Sequence, residues 1–108
     1  MDHRLQVGID FSQKRADFCL LFPDGRPLES HIAVDNSSPG YSLAKRLLLD
    51  ALDSYSFDGV DVSGEATGYL WLPFFLQLAA DPELELHDLK LYLLNPRWVK
   101  WFKKCFAQ

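Results

Sequence analysis

The sequence predicts an α/β protein built on one mixed five-stranded sheet, with elements in the order strand, strand, strand, helix, strand, helix, strand, helix. Two observations predict this class. Apolar and polar residues alternate with a period of two near the N-terminus, which is typical of half-buried strands. Leucines then recur at helical spacing between two later strand-like runs. Helical crossovers join parallel strands, so the later strands should be parallel, whereas the first three should form an antiparallel meander.

The first three strands are separated by short turns. Apolar residues at positions 5, 7 and 9 alternate with polar or small ones, so the first strand should end at Asp10. A second strand is predicted over about Arg15 to Phe22. The sequence "PDGR" then favours a turn, and a third strand should cover about Leu28 to Val34.

Two helices are predicted in the middle of the chain, on either side of a fourth strand. The first should cover about Pro39 to Ser54, with Ser38 as its N-cap. A short strand at about Gly59 to Ser63 follows. The second helix should run over about Tyr69 to Ala80, and Pro73 must either begin that helix or kink it, because proline has no backbone N–H to donate.

The last two elements are predicted from an apolar run and a helix-start signal. Residues Leu89 to Leu94 are almost continuously apolar, which predicts a fifth strand buried on both faces. The pair Asn95-Pro96 then favours a helix start, with asparagine as the N-cap and proline in the first turn. We expect that helix to continue to the end of the sequence.

Length and composition favour one domain over residues 1–108. The chain is 48% hydrophobic, which suffices for one core, and 108 residues are too few for two ordinary domains. The longest apolar run is shorter than the roughly 18 residues of a membrane span, and the N-terminus does not resemble a targeting segment. We therefore expect a cytoplasmic protein with no membrane association. Cys19 and Cys105 lie far apart in sequence, so free, reduced thiols are expected.

Charge is distributed unevenly along the chain. The net charge of -4 is not the basic character expected of a stand-alone nucleic-acid binder. Residues 95–108, however, hold four basic residues and no acidic one. Arg97, Lys100 and Lys104 would share one side of a helix and could contact phosphate groups. The alternative is a solvated basic side above packed aromatic residues.

Two acidic residues stand where predicted strands end. Asp10 ends the first strand and Glu65 follows the fourth, between Gly64 and Gly68. If those strands are neighbours, the two carboxylates meet and could bind a divalent cation such as Mg²⁺. The glycines would allow an abrupt turn and leave room beside the acid. The alternative is that Asp10 forms a turn and Glu65 is a surface acid or helix cap.

Three segments, "VGIDFSQKRADFCLLFPDGR", "GEATGYLWLPFFLQL" and "LYLLNPRWVKWF", resemble the N-terminal RuvC-like domain of DEDD-type insertion-sequence transposases, a group that includes the Piv-type DNA invertases. The resemblance covers nearly the whole chain. It implies a ribonuclease-H-like fold with helices on both faces of the sheet. It also implies that Asp10 and Glu65 are the first two catalytic, metal-binding acids of the DEDD set. Mg²⁺ or Mn²⁺ would be the cofactor and DNA the substrate. Some members use a guide RNA, and a homo-oligomer is expected for the full-length protein.

The sequence departs from this family in one respect that affects activity. The last two acids of the family lie in a motif Lys-Thr-Asp-x-x-Asp after the "NP..V..F" segment, and the sequence ends at Gln108 before such a motif. The family's C-terminal domain, with its additional serine, would follow. We therefore expect a truncated chain that cannot catalyse recombination by itself.

Two other functions remain open. The start "VGIDFS" with its following hairpin also resembles sugar kinases and actin-like ATPases, in which an Asp on the first strand works with Mg²⁺-ATP. Those proteins usually have a glycine shortly after this Asp, whereas Phe11 and Ser12 stand here. The third possibility is a non-catalytic module that docks on nucleic acid.

Overall fold

The computed structural model describes residues 3–66 and 68–94, which form one sheet with helices packed against it. The elements, in chain order, are β1 (Arg4–Phe11), β2 (Arg15–Leu21), β3 (Pro27–Asp35), α1 (Ser38–Ser54), β4 (Gly59–Glu65), α2 (Leu72–Ala79), α3 (Pro82–Glu85) and β5 (Leu89–Leu94). The predicted strands and the first two predicted helices are all present. The helix predicted over residues 95–108, with its basic residues, lies outside the described residues.

The sheet is mixed, as predicted. Its strand order is β3-β2-β1-β4-β5. The first three strands form the antiparallel meander, and β4 pairs in parallel with both β1 and β5. The central strand β1 therefore has an antiparallel neighbour on one side and a parallel neighbour on the other. This α/β topology agrees with the ribonuclease-H-like fold implied by the resemblance.

The hydrophobic core lies on one face of the sheet, beneath α1 and α2. Alternate residues of β1 and β4 are buried there, among them Leu5 and Val62. Phe74 of α2 is 1% exposed and packs against the rings of Phe11 and Tyr41, at centroid distances of 5.7 and 5.6 Å. Burying this many apolar side chains on one face fixes the register of the strands, because a shift by one residue would expose them.

Helix boundaries differ slightly from the predictions, each for a local reason. Ser37 rather than Ser38 is the N-cap of α1, and its Oγ accepts a hydrogen bond from Gly40 N–H at 3.2 Å. Helix α2 begins at Leu72, so Pro73 lies in the first turn, where no N–H is needed. The short helix α3 was not predicted. Asp81 caps it by accepting hydrogen bonds from backbone N–H groups.

The prediction that the fifth strand is buried on both faces is wrong. Tyr92, Leu93 and Leu94 are 45%, 44% and 40% exposed. The reason is that β5 is an edge strand, and no helix in ranges 3–66 and 68–94 covers its second face.

None of the helices described is long and apolar enough to cross a membrane.

Candidate functional site

The two predicted acids lie on neighbouring parallel strands. In the pairing of β1 with β4, Ile9 lies opposite Gly64, and Asp10 and Glu65 are the next residues on their strands. The buried side chains of both strands alternate with these acids, so both carboxylates project from the face opposite the core. Asp10 is exposed and Glu65 is half-buried. Neighbouring strands are about 4.8 Å apart, so the two acids stand side by side at the carboxyl ends of β1 and β4.

Packing and hydrogen bonds hold the backbone on each side of these acids. Phe11, directly after Asp10, packs edge-to-face against Phe75 at 6.0 Å. The hairpin that follows is closed by Ser12 N–H, which donates to the Arg15 carbonyl at 2.8 Å. Beyond Glu65, the N–H of residue 66 donates to the carbonyl of residue 94 in β5 at 2.9 Å. The acids are therefore presented by backbone held in the sheet rather than by a free loop.

The glycines around Glu65 serve the turn and the core. A Cβ on Gly64 would lie 3.0 Å from ring atoms of Phe11 and Phe75, so this glycine lets α2 pack closely on β4. It faces away from the carboxylate and does not make room beside it, contrary to the prediction. Gly68 has φ +56°, in the left-handed region, where the chain turns toward α2. Its carbonyl accepts a hydrogen bond from Trp71 Nε1 at 2.9 Å.

Neither carboxylate is neutralised by the protein over the described ranges. Within residues 3–66 and 68–94, the side chains of Asp10 and Glu65 form no hydrogen bond and no ion pair.

A third acid, Asp17, lies opposite Asp10 on β2 and was missed in the sequence. The alternation of β2 could have revealed it. Asp17 differs from the other two because Arg15 Nη2 lies 2.9 Å from its carboxylate.

The chemistry of the two carboxylates suits a hard divalent cation. Mg²⁺ takes oxygen ligands, keeps several waters and is usually bound by one or two carboxylates. Asp10 and Glu65 supply these two carboxylates. Across residues 3–66 and 68–94, no group of three or more His, Cys, Asp or Glu side chains is arranged to hold a metal. Arg97, Lys100 and Lys104 lie outside those ranges.

The opposite end of the same strands also carries acids, but a buried cation neutralises them. Arg4, 8% exposed, donates from Nε to Asp61 at 3.0 Å and from Nη1 to Asp88 at 2.6 Å. Burial pushes the pKa of Asp61 upward, but hydrogen bonds from Arg4 and Gln6 outweigh it and hold the pKa below its ordinary value. A Cβ on Gly59 would collide with the guanidinium. This cluster ties β1 to β4 and to the turn before β5.

A third charged cluster joins α1 to α3. Asp81 is buried and accepts a hydrogen bond from Tyr41 Oη at 2.7 Å, and Lys45 Nζ lies 3.0 Å from the same carboxylate. Burial, and then the hydrogen bond to Asp81, raise the pKa of Tyr41. Because every polar group of this cluster has a partner, it is a structural connection between helices.

Comparison with known proteins shows a likeness of fold. No protein-family model and no curated protein matches the sequence. Among solved structures, T. thermophilus RuvC in complex with Holliday junction substrate superposes with a TM-score of 0.55 at 17% identity, covering 91% of this chain and 67% of that one. The foamy viral protease-reverse transcriptase in complex with an RNA/DNA hybrid superposes with a TM-score of 0.52 at 14% identity, covering 85% of this chain and 15% of that one.

A member of the Ppx/GppA family from Aquifex aeolicus superposes less well, with a TM-score of 0.41 at 10% identity over 86% of this chain and 35% of that one. Identities this low are informative about fold alone. The strand order, the mixed pairing and the two superpositions above 0.5 agree. The chain has a ribonuclease-H-like fold.

Proposed function

We propose that this chain is the N-terminal catalytic part of a DEDD-type transposase and that Asp10 and Glu65 bind Mg²⁺ or Mn²⁺ for DNA strand cleavage and joining. One observation carries the proposal. The two acids that the resemblance implies stand side by side at the carboxyl ends of β1 and β4, without a protein cation in the part of the chain that is described. Acids kept for stability in this protein, such as Asp61 and Asp81, have basic partners.

The proposed cation would be held by these two carboxylates together with water and ligands from elsewhere. When bound, such an ion stabilises negative charge on attacking and leaving oxygens of a phosphodiester. The contribution of this chain is to present both carboxylates from a rigid sheet. Asp17 is not included in the proposed ligand set, since Arg15 already lies against its carboxylate.

DNA is the proposed substrate. The solved RuvC is in complex with a Holliday junction, and the basic residues Arg97, Lys100 and Lys104 would add phosphate contacts. Such contacts bind without sequence preference and weaken with salt. A guide RNA and a homo-oligomer are further parts of the proposal. Since the sequence holds two of the four family acids, we expect no recombination by the 108-residue chain alone. Appreciable Mg²⁺-dependent strand exchange by this chain would contradict that expectation.

Calorimetric titration with Mn²⁺ tests the proposed cofactor site. We expect binding to the wild-type chain and at least a tenfold loss of affinity in Asp10→Asn and in Glu65→Gln. Asp53→Asn is the matched control, because it removes one exposed carboxylate from α1 and should leave binding unchanged. If all three variants bind as the wild type does, Asp10 and Glu65 are not the ligands and a non-catalytic docking module becomes the better explanation.

The ATPase alternative is tested by titration with Mg²⁺-ATP. Sugar kinases and actin-like ATPases usually have a glycine shortly after the Asp of the first strand. In this chain the residue after Asp10 is Phe11, which packs against Phe74 and Phe75. We expect no ATP binding, and micromolar affinity would favour the kinase-like function instead.

A further inference from the structure

One side-chain amide joins the two backbone segments that follow the candidate metal-binding acids. Asn36 Nδ2 donates to the Ser12 carbonyl at 3.0 Å and to the Leu70 carbonyl at 3.1 Å. Ser12 is two residues after Asp10, and Leu70 is five residues after Glu65. The amide therefore links the hairpin after one acid to the turn after the other.

Asn36 lies at the same edge of the sheet as the two acids. Strands β3 and β1 are both antiparallel to β2, so they run in the same direction and end at the same edge. Asn36 follows β3 directly and precedes Ser37, the N-cap of α1. Its own N–H donates to the Lys14 carbonyl at 2.9 Å, and a Cβ on Gly40 would collide with the Asp35 carbonyl. The backbone of Asn36 is therefore held between the hairpin and the first turn of α1.

The two contacts of this side chain suit an amide nitrogen. Both acceptors are backbone carbonyls, and the NH2 group of an asparagine supplies two donors. The Oδ1 atom of Asn36, in contrast, is buried and accepts no hydrogen bond from residues 3–66 and 68–94. A buried acceptor without a partner costs stability and is uncommon in folded proteins. The contacts of the NH2 group are therefore the better reason for an asparagine at this position.

The pairing of β1 with β4 ends just before the two acids. The last paired residues of these strands are Ile9 and Gly64, and each acid is one residue beyond this pair. After the acids the two chain segments diverge, one into the hairpin before β2 and the other into the turn before α2. A connection between the diverging segments restrains both carboxylates through their backbones.

We propose that Asn36 is a positioning residue for the Asp10–Glu65 metal site, and that its amide sets the separation of the two carboxylates by tying Ser12 to Leu70. The inference rests on the proposed function, because it requires that these acids share a cation. Mg²⁺ requires nearly ideal octahedral geometry at short metal–oxygen distances, whereas Ca²⁺ accepts longer and more variable ones. Loss of the amide should therefore weaken Mg²⁺ binding more than Ca²⁺ binding.

Calorimetric titrations of the whole chain with Mg²⁺ and with Ca²⁺ test the inference. Asn36→Ala removes both donors, and we expect its Mg²⁺ affinity to fall roughly tenfold, the lower end of the effect of outer-shell partners, with a smaller loss for Ca²⁺. Tyr41→Phe is the matched control. It removes hydrogen bonds to Asp81 and to the Gln77 carbonyl while keeping its ring, so both affinities should equal those of the wild type. Unchanged affinities in Asn36→Ala, or equal losses for the two ions, would overturn the inference.

A second measurement uses the wild-type chain and does not depend on whether a variant folds. Because coupling between two sites is reciprocal, Mg²⁺ binding should shift the side-chain amide NMR signals of Asn36. The side-chain amide of Gln6, which donates to Asp61 at the other end of the strands, should not shift. Asn36 signals that stay in place at saturating Mg²⁺ would overturn the inference and leave the proposed function intact. A wild-type chain that binds no Mg²⁺ would instead contradict the proposed function, and the inference with it.

Discussion

The two ends of the parallel strands β1 and β4 treat their acids differently. At one end, Asp61 is half-buried and held by Arg4, with Asp88 on the other side of the guanidinium. At the other end, Asp10 and Glu65 stand side by side with no basic partner in the described ranges. The same pair of strands thus carries two acid clusters: one is neutralised by Arg4, and the other has no basic partner among the described residues. The comparison separates acids that stabilise the fold from the two acids that we propose as metal ligands.

The largest effect is expected at the neutralised end. Arg4→Met should lower the free energy of unfolding by about 3 kcal/mol, because it removes a buried guanidinium and leaves the half-buried Asp61 carboxylate without its cation. Urea unfolding measures the change. Arg26→Met is the matched control. It also breaks an Arg–Asp pair, with Asp24 at 2.6 Å, but both of those side chains are more than half exposed, so we expect a much smaller change than in Arg4→Met. Equal losses in the two variants would contradict the structural role of Arg4.

Glycines at the two ends of β4 should be the next most sensitive positions. A Cβ at Gly59 would meet the Arg4 guanidinium, and one at Gly64 would meet Phe11 and Phe75 at 3.0 Å. We expect each alanine substitution to cost about 1–3 kcal/mol through overpacking, again measured in urea. Unchanged stability in Gly64→Ala would show that α2 does not rest on β4 as closely as described.

Stability should also depend on pH through the neutralised end. The pKa of Asp61 is held below its ordinary value in the folded chain. Its contribution is therefore complete above the unfolded pKa of about 3.9 and is lost as the pH falls through the lower folded value. We expect the free energy of unfolding to decline below about pH 4, and to decline less in Arg4→Met. Parallel pH profiles for the two proteins would contradict this assignment.

The smallest effect on stability is expected at Asp10 and Glu65, which have no basic partner among the residues described. Asp10→Asn and Glu65→Gln remove no side-chain partner within residues 3–66 and 68–94, and they relieve repulsion between neighbouring like charges. Each should therefore change the free energy of unfolding by no more than about 0.5 kcal/mol, toward greater stability. Urea unfolding without divalent cations measures this. A loss above 1 kcal/mol would mean that these acids have a structural role like that of Asp61.

Local patterns predicted most of the fold. The alternation around Leu5, Val7 and Ile9 located β1, and helical spacing located α1. The prediction failed where the burial of a strand depends on its position in the sheet. The apolar composition of β5 suggested burial, but the strand lies at the edge of the sheet. A single sequence does not reveal which strands are covered.

The candidate site was predicted in part. Asp10 and Glu65 were identified from their places after strands and from the family resemblance, and the structure puts them on neighbouring strands. Their role as metal ligands stays a prediction. Asp17 was missed because its position opposite Asp10 depends on the hairpin register. The Arg4 cluster was missed because its partners lie 57 and 84 residues away in sequence, and no local pattern reports contacts over such separations.

Paramagnetic broadening by Mn²⁺ tests the central contrast most directly. In a titration followed by amide NMR, we expect signals around Asp10 and Glu65 to broaden first, while those around Arg4 and Asp61 stay sharp. The double variant Asp10→Asn, Glu65→Gln should lose the selective broadening. Equal broadening at both ends of the strands, or selective broadening that persists in the double variant, would contradict the assignment of Asp10 and Glu65 as the metal-binding acids.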